Sequence, residues 1–139
     1  MLVASVATHS HSASEPATAA SLVAVATQFN EDYHLNHDAA VWDRFDPASQ
    51  AVIARATYVR WHAQCPQAAP GPSTVLSAVA QSQGWWVVTY QMSGVSLHDY
   101  WHRVGDRWRF SLLRSNPASA QRYAGSFAAW SRAVGCVTS

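Results

Sequence analysis

The first half of the chain carries apolar residues at the three- and four-residue spacing of amphipathic helices. Four residues that share this spacing are Leu22, Val25, Phe29 and Tyr33. With Ser21 as N-cap, they predict a first helix from Ser21 to about Asn36. A short second helix is expected after Asp38, and a third from about Pro47 to Gln64. The proline-rich stretch CPQAAPGPS then ends the helical half.

After this break the apolar period changes from that of a helix to the alternation of β-strands. Four strands are predicted, over Thr74–Ala80, Trp85–Met92, Val95–Val104 and Arg107–Leu113. Their short connections predict antiparallel neighbours. A last helix is indicated by Tyr123, Phe127, Trp130 and Val134, and it is expected to stop at Gly135. The order of elements predicts an α+β roll, with three N-terminal helices on a curved four-stranded antiparallel sheet and one C-terminal helix.

The tight turns fix which side chains share a face of the sheet. If Ser93-Gly94 and Gly105-Asp106 are two-residue turns, one face carries Trp86, Val88, Tyr90, Leu97, Asp99, Trp101, Arg103, Trp108, Phe110 and Leu112. A four-residue loop before Trp85 adds Val75, Ser77 and Val79 to this face. Asp99 is then the one carboxylate on the apolar, inward surface of the central strands.

The opposite face of the sheet carries both polar and aromatic side chains. The stretch LHDYWHR suggests a His/Asp cluster, but neighbouring strand residues point to opposite sides, so His98 and His102 lie away from Asp99. An aromatic association surface is expected on this outer face, formed by Trp85, His98, Tyr100 and His102. A homodimer through that surface is the predicted assembly.

Composition narrows the classes of function. The chain has 139 residues, 49% of them apolar and 12% charged, with a net charge of +1. This size fits a single domain over residues 21–139 behind a flexible tail at 1–20. The weak charge predicts neither nucleic acid nor an anionic lipid surface as partner, and no apolar run is long enough to span a bilayer. The tail lacks the basic start and long apolar stretch of an intact signal peptide, so it is interpreted as a shortened export signal, a linker or a plain tail.

The two cysteines help to predict whether the protein is exported or cytoplasmic. Cys65 and Cys136 are too far apart in sequence for a zinc or redox motif. A disulfide between them would close a loop of about 70 residues, worth roughly 4 kcal/mol, and would favour an exported protein over a cytoplasmic one. The alternative is two small buried apolar side chains.

Asp99 carries the candidate chemistry. An isolated carboxylate among aromatic side chains is costly to ionise, so it is expected either to hold a structural hydrogen-bond network or to act as a general acid or base. The candidate partners are Tyr90, Tyr33, His34 and His37. No GxSxG nucleophile motif occurs, and His34 with His37 lacks a third ligand at metal spacing, so no metal or other cofactor is expected.

The helical stretch FNEDYHLNHDAAVWDRFDPASQ and the ending VGDRWRFSLL resemble the nuclear transport factor two-like superfamily, also called SnoaL-like. The resemblance covers about Ser21 to Leu113. The stretch RSNPASAQRYAG looks like that of exported actinobacterial proteins, which usually carry the domain without an assigned reaction.

The resemblance implies a cone-shaped, cystatin-like roll with an apolar cavity between helices and sheet. The expected ligand-binding residues are Tyr33, Trp86, Val88, Trp101, Trp108 and Phe110. Members include ketosteroid isomerases, polyketide cyclases and dehydratases, many of which use an inward Asp with a Tyr or His. Asp99, Tyr90 and His37 would match these catalytic roles. Two hypotheses follow, an exported domain that binds an apolar small molecule or a protein without catalysis, and a lyase, isomerase or cyclase acting on a polyketide-like or polycyclic substrate.

Overall fold

The structure is a computed structural model that describes residues 14–66 and 72–136. In chain order its elements are α1 Ala19–His34, α2 Asp38–Arg44, α3 Pro47–Gln50, α4 Arg55–Gln64, β1 Thr74–Ala80, β2 Trp85–Met92, β3 Val95–Val104, β4 Arg107–Phe110, α5 Leu112–Ser115, α6 Pro117–Tyr123 and α7 Phe127–Ala133. The strands form one antiparallel sheet in the order β1-β2-β3-β4. Helices α1 to α4 precede the sheet and α5 to α7 follow it, which confirms the predicted α+β architecture. Among the helices of these two ranges, none is long and apolar enough to cross a membrane.

Helix α1 supplies most of the helical contact with the sheet. Thr18 caps it by accepting a hydrogen bond from the backbone N–H of Ser21 at 3.1 Å. Its buried residues Leu22, Ala26 and Phe29 follow the predicted apolar spacing. The sequence pattern therefore located both the helix and the face that it buries.

The predicted pairing of the central strands is confirmed. Val88 faces Asp99 between β2 and β3, and Arg103 faces Trp108 between β3 and β4. Ser93 and Gly94 both adopt positive φ, at 52° and 76°, as a two-residue hairpin turn of the primed type requires.

Strand β1 departs from the predicted register. Ala80 pairs with Trp86, so the connection holds one residue more than the expected four-residue loop. Part of that connection is a 3₁₀ turn over Ser82–Gly84. Because a one-residue slip moves every side chain to the other face, the prediction that Val79 and Ser77 point inward was wrong.

A β-bulge corrects the slip further along β1. The register shifts between Val75 and Ser77, and Val75 then pairs with Tyr90 as predicted. The residue within the bulge, Leu76, is exposed. The bulge thus returns the start of β1 to the expected face, next to the strand residues that form the site.

The predicted third helix is split into α3 and α4. Asp46 caps α3 by accepting from the N–H of Ser49 at 2.9 Å. The indole N–H of Trp42 donates to the carbonyl oxygen of Ile53 at 2.8 Å, and Ile53 is buried. This contact from α2 holds the link between α3 and α4 outside either helix.

The end of β4 also differs from the prediction. The strand stops at Phe110 instead of Leu113, and Ser111 caps α5 by accepting from the N–H of Arg114 at 3.1 Å. Buried Ser49 accepts the N–H of Leu112 at 2.9 Å, which takes that donor out of the sheet ladder. Three short helices follow in place of the single C-terminal helix that was expected.

Two links fix the ends of the described chain. Cys65 and Cys136 form a disulfide, which confirms that prediction. The backbone N–H of Glu15 donates to the carbonyl oxygen of Asp106 at 2.9 Å, and the Glu15 carboxylate accepts from Arg44 at 2.8 Å. Residues 1–13 of the predicted tail lie outside the described residues. The folded part begins before the predicted boundary at residue 20.

Candidate functional site

Most of the inward aromatic surface of the sheet is closed by α1. Trp101 and Trp108 have 0% of their surface exposed, and Val88 and Trp86 pack in the same core. The Phe29 ring meets Trp101 edge to face at 5.1 Å between centroids. The structure therefore places Val88, Trp101 and Trp108 in the core, with Trp86 partly buried against it, instead of in a cavity wall.

A cavity of about 430 Å³ lies beyond the end of β4, where β3 remains paired with β2 but has no strand on its other side. Helices α1, α4, α5 and α6 and the strands β2 and β3 contribute to its wall. Its polar lining residues include Asn30, Tyr33, His34, Tyr58, Tyr90, His98, Asp99, Ser119 and Tyr123. Of the predicted ligand-binding residues, Tyr33 and Phe110 line this cavity. A volume above about 300 Å³ is large enough for a small organic ligand.

Asp99 lies in the wall of this cavity, on the inward face of β3 as predicted. Within residues 14–66 and 72–136, its carboxylate has no hydrogen bond and no ion pair. Burial raises the pKa of the Asp99 carboxyl to about 7. The side chain therefore changes charge near neutral pH, and no protein cation of the described residues compensates it.

Two tyrosines accompany Asp99. Burial, followed by the nearby Asp99, raises the pKa of the Tyr90 phenol, and the same two causes raise the pKa of the Tyr33 phenol. Both side chains line the cavity, so two of the predicted partners lie near Asp99. Tyr33 is nevertheless 49% exposed as a whole residue. Burial at its phenol and exposure elsewhere are consistent with a residue at the cavity opening.

The third predicted catalytic residue, His37, is not brought to the cavity. Its side chain is 56% exposed and its Nδ1 atom lies 3.1 Å from Oδ1 of Asp32. His37 stands at the N-cap of α2, after the chain has turned away from the end of α1. The structure therefore separates His37 from Asp99 and Tyr90.

Two cavity-lining residues of α1 have buried side-chain nitrogen atoms without a partner among the described residues. Asn30 Nδ2 and His34 Nδ1 are buried and have no hydrogen-bond partner in the part of the chain that the structure describes. They are four residues apart, so they lie on one face of the helix. A buried polar atom without a partner costs about 1–3 kcal/mol, and a bound polar ligand would recover part of that cost. His34 was a predicted partner of Asp99, whereas Asn30 was missed because one amide carries no pattern.

The helical wall of the cavity is backed by a polar network. His62 Nε2 lies 2.7 Å from the hydroxyl oxygen of buried Tyr123, and His62 Nδ1 lies 3.7 Å from Oδ1 of Asp38. Burial lowers the pKa of His62 to about 4, so its ring is neutral at neutral pH. The Tyr58 and Trp130 rings pack against Tyr123, at 5.3 Å and 5.9 Å between ring centroids.

This network is satisfied without a ligand. In the neutral His62 ring the proton is on Nδ1, which faces Asp38. The Nε2 atom then accepts a hydrogen bond from the Tyr123 hydroxyl. Proton transfer from Tyr123 to His62 is strongly unfavourable, because burial raises the pKa of the phenol and lowers the pKa of the imidazole. We therefore assign this network a structural role. The sequence does not indicate this network, because His62 and Tyr123 are 61 positions apart.

The outer face of the sheet is partly covered by its own chain. The Arg114 guanidinium lies 4.4 Å from the Trp85 ring centre and 5.0 Å from that of Tyr100. His102 Nε2 lies 2.8 Å from Oδ2 of Asp46. His98 Nδ1 lies 3.0 Å from Oγ1 of Thr89, while the exposed His98 also borders the cavity. The homodimer through these residues stays a prediction.

A second, more polar cleft of about 590 Å³ lies between α1, α2 and β4. Its charges are already engaged, since Arg44 pairs with Glu15 at 2.8 Å and Arg109 donates to the carbonyl oxygen of Asp43. The cavity at Asp99 is the better candidate, because its carboxylate and two nitrogen atoms have no partner among the described residues.

No group of three or more potential metal ligands occurs within residues 14–66 and 72–136. Comparison with protein-family models, with curated proteins and with solved structures finds no match to this chain. The function must therefore be inferred from the site itself.

Proposed function

We propose that the protein is an exported binding domain whose cavity at Asp99 takes up a small, largely apolar molecule, without catalysis. The observation that carries this proposal is the cavity of about 430 Å³, which combines an aromatic lining with a few polar atoms that lack a protein partner. Ligand pockets typically have this composition, a mostly apolar wall with a few polar groups that fix orientation. The disulfide is consistent with an extracytoplasmic location.

The resemblance to the nuclear transport factor two-like superfamily is part of this proposal. An apolar cavity between helices and a four-stranded sheet is what that resemblance implies, and the described chain has such a cavity. The cavity lies at the end of the sheet and not over its centre.

A fluorescence titration tests the proposal. N-phenyl-1-naphthylamine is a neutral, apolar probe that becomes brighter when it leaves water, and saturable enhancement is expected with the wild-type protein. Ser119→Trp places a large side chain in the cavity wall and should abolish the enhancement. Gln121→Trp adds the same side chain at an exposed position of the same helix and serves as control. Equal enhancement with both variants would place the probe elsewhere and refute the proposal.

A second candidate is a lyase, isomerase or cyclase that uses Asp99 as general base. The observation that favours it is an unpaired carboxylate whose pKa is raised by burial to about 7, since a general base works best near the ambient pH. In this reaction Asp99 removes a proton from the carbon beside a carbonyl, and Tyr90 donates a hydrogen bond to the resulting enolate oxygen. The carboxylic acid then returns the proton to carbon.

Isotope exchange distinguishes this candidate from simple binding. Incubation of the protein with 2-tetralone in deuterated buffer should replace the hydrogens beside the carbonyl with deuterium faster than buffer alone, as followed by NMR. Asp99→Asn should remove the acceleration. An exchange rate that is the same with wild-type protein, the variant and buffer would count against catalysis on ketones by Asp99.

A further inference from the structure

Asp99 differs from the other partly buried carboxylates of the described chain in having no contact with a basic or donor group. Arginines pair with Glu15 and Asp43, and histidine ring nitrogens contact Asp32, Asp38 and Asp46. The two that remain besides Asp99, Glu31 and Asp106, have exposed side chains that water can solvate. Within residues 14–66 and 72–136, Asp99 is thus the one partly buried carboxylate that contacts no arginine or histidine nitrogen and accepts no hydrogen bond.

The surroundings of Asp99 are aromatic and contain no cation. Seven aromatic residues line the cavity, namely Phe29, Tyr33, Phe45, Tyr58, Tyr90, Phe110 and Tyr123. No arginine of the described residues contributes to the lining. The faces of aromatic rings carry partial negative charge and attract cations, most strongly where water is excluded. The Asp99 carboxylate and the aromatic rings therefore both favour a positively charged ligand.

We propose that the ligand of this cavity is an organic cation, an ammonium group flanked by apolar substituents, with Asp99 as its counter-ion. This inference rests on the proposed function and narrows its ligand class. The ammonium charge supplies the ionic partner that the protein does not supply, and the substituents occupy the aromatic part of the cavity.

A cation binds to the ionised form of the Asp99 carboxyl, so the free-energy cost of ionising this group determines how tightly the cation binds at each pH. With a pKa of about 7, about half of the carboxyl groups are ionised at pH 7, so protonation weakens cation binding only about twofold. At pH 5 about one group in a hundred is ionised, and the weakening becomes about a hundredfold. Cation binding is thus favourable at pH 8 and strongly reduced at pH 5.

The unpartnered amide of Asn30 is compatible with this ligand. An amide can turn either its oxygen or its nitrogen toward a bound molecule, so Asn30 does not select for charge. A neutral carbonyl ligand would also satisfy Asn30, with Asp99 protonated as donor. The two ligand classes differ in their response to pH and to removal of the Asp99 charge.

Several other titratable groups line the cavity around Asp99. Those that contribute to the cavity are Tyr33 and His34 of α1, Tyr90 of β2, His98 of β3, Tyr58 of α4 and Tyr123 of α6. Burial raises the pKa of each of these four tyrosines, so they remain neutral between pH 5 and 8. His34 and His98 are basic side chains at the same cavity, so the experiment includes a histidine variant. Asp38 of α2 also acts on Tyr33, and burial raises the pKa of its carboxyl.

The test uses two probes of the same shape. Benzyltrimethylammonium carries a permanent charge, and neopentylbenzene is its uncharged carbon analogue, so neither probe titrates. At pH 8, Asp99→Asn should weaken benzyltrimethylammonium binding at least tenfold and change neopentylbenzene binding less than twofold, as measured by tryptophan fluorescence titration. Asp106→Asn, at an exposed turn, removes one carboxylate elsewhere and should change neither. Thermal melts verify that each variant is folded.

The pH series separates the contribution of Asp99 from that of the histidines. Wild-type affinity for benzyltrimethylammonium should fall about a hundredfold from pH 8 to pH 5, and Asp99→Asn should remove most of this fall. The inference is overturned if the fall persists in Asp99→Asn and disappears in His34→Asn. It is also overturned if both probes respond equally to Asp99→Asn, whereas the proposed function then stands. Failure of N-phenyl-1-naphthylamine and both probes to bind would refute the proposed function and this inference together.

Discussion

Replacement of Asp99 by Asn should stabilise the protein at alkaline pH. Burial raises the pKa of the Asp99 carboxyl from an ordinary value of 3.8 to about 7. Between about pH 4 and pH 7 the native state therefore keeps a proton that the unfolded chain releases. Stability falls as pH rises through this window and levels off above it, because ionisation favours the unfolded state. Asn resembles the protonated carboxyl and does not titrate, so the variant avoids this loss.

The size of the effect follows from the pKa change. A difference of about three pKa units corresponds to about 4 kcal/mol, and contact of the carboxyl with water in the cavity reduces this to about 2–4 kcal/mol. Asp99→Asn and the wild type should have nearly equal stability near pH 4. The variant should be more stable by about 2–4 kcal/mol at pH 8.

Urea unfolding followed by tryptophan fluorescence, from pH 4 to pH 8, measures this difference. The quantity to compare is the difference in unfolding free energy between the variant and the wild type. His62 changes stability with pH in the opposite direction to Asp99, and it is present in both proteins. Burial lowers its pKa to about 4, so its contribution to stability is lost as pH falls from about 6.5 toward 4. Asp106→Asn provides the exposed control. A variant that is less stable than the wild type at pH 8 would mean that Asp99 is paired, and the reasoning would fail.

Three further variants test contacts that hold the fold together. Cys136→Ser opens a loop with a sequence separation of 71 and should cost about 4 kcal/mol by loop entropy, lowering Tm by about 10–15 °C in non-reducing calorimetry. No change in Tm would mean that the linkage is absent in solution. Ser49→Ala leaves the N–H of Leu112 without its acceptor and should cost about 1–3 kcal/mol in urea unfolding, whereas Ser82→Ala at an exposed turn should cost little. Glu15→Gln weakens a partly buried ion pair with Arg44 and should cost about 1–2 kcal/mol, and a cost that is unchanged in 1 M salt would contradict an ionic origin.

The features that sequence predicted well are set by local geometry. The hairpin at Ser93 and Gly94 needs left-handed backbone at both positions, and this turn fixes the whole β2–β3 register. The inward position of Asp99 follows from that register alone. The apolar spacing of α1 likewise depends on neighbouring turns of one helix. In each case the information lies within a few residues of the element that it determines.

The features that sequence did not predict depend on contacts between distant segments. The split between α3 and α4 involves the hydrogen bond from Trp42 to Ile53. The reversed face of Val79 results from one extra residue in a loop, together with a compensating bulge. Local sequence propensity predicts neither feature, because each depends on how apolar side chains from distant segments pack in the folded protein.

The candidate site itself arises from one such long-range contact. Had β4 continued as predicted, Leu112 would face Asp99 across the sheet and fill the space beside its carboxylate. In the structure, Ser49 binds the N–H of Leu112 and Ser111 caps α5, so the chain leaves the sheet directly after Phe110. Asp99 consequently keeps an open side, and the following helices α5 and α6 close a cavity around it instead of a packed sheet edge. The early end of one strand thus leaves a costly buried acid in the wall of an open cavity and not in a packed sheet edge.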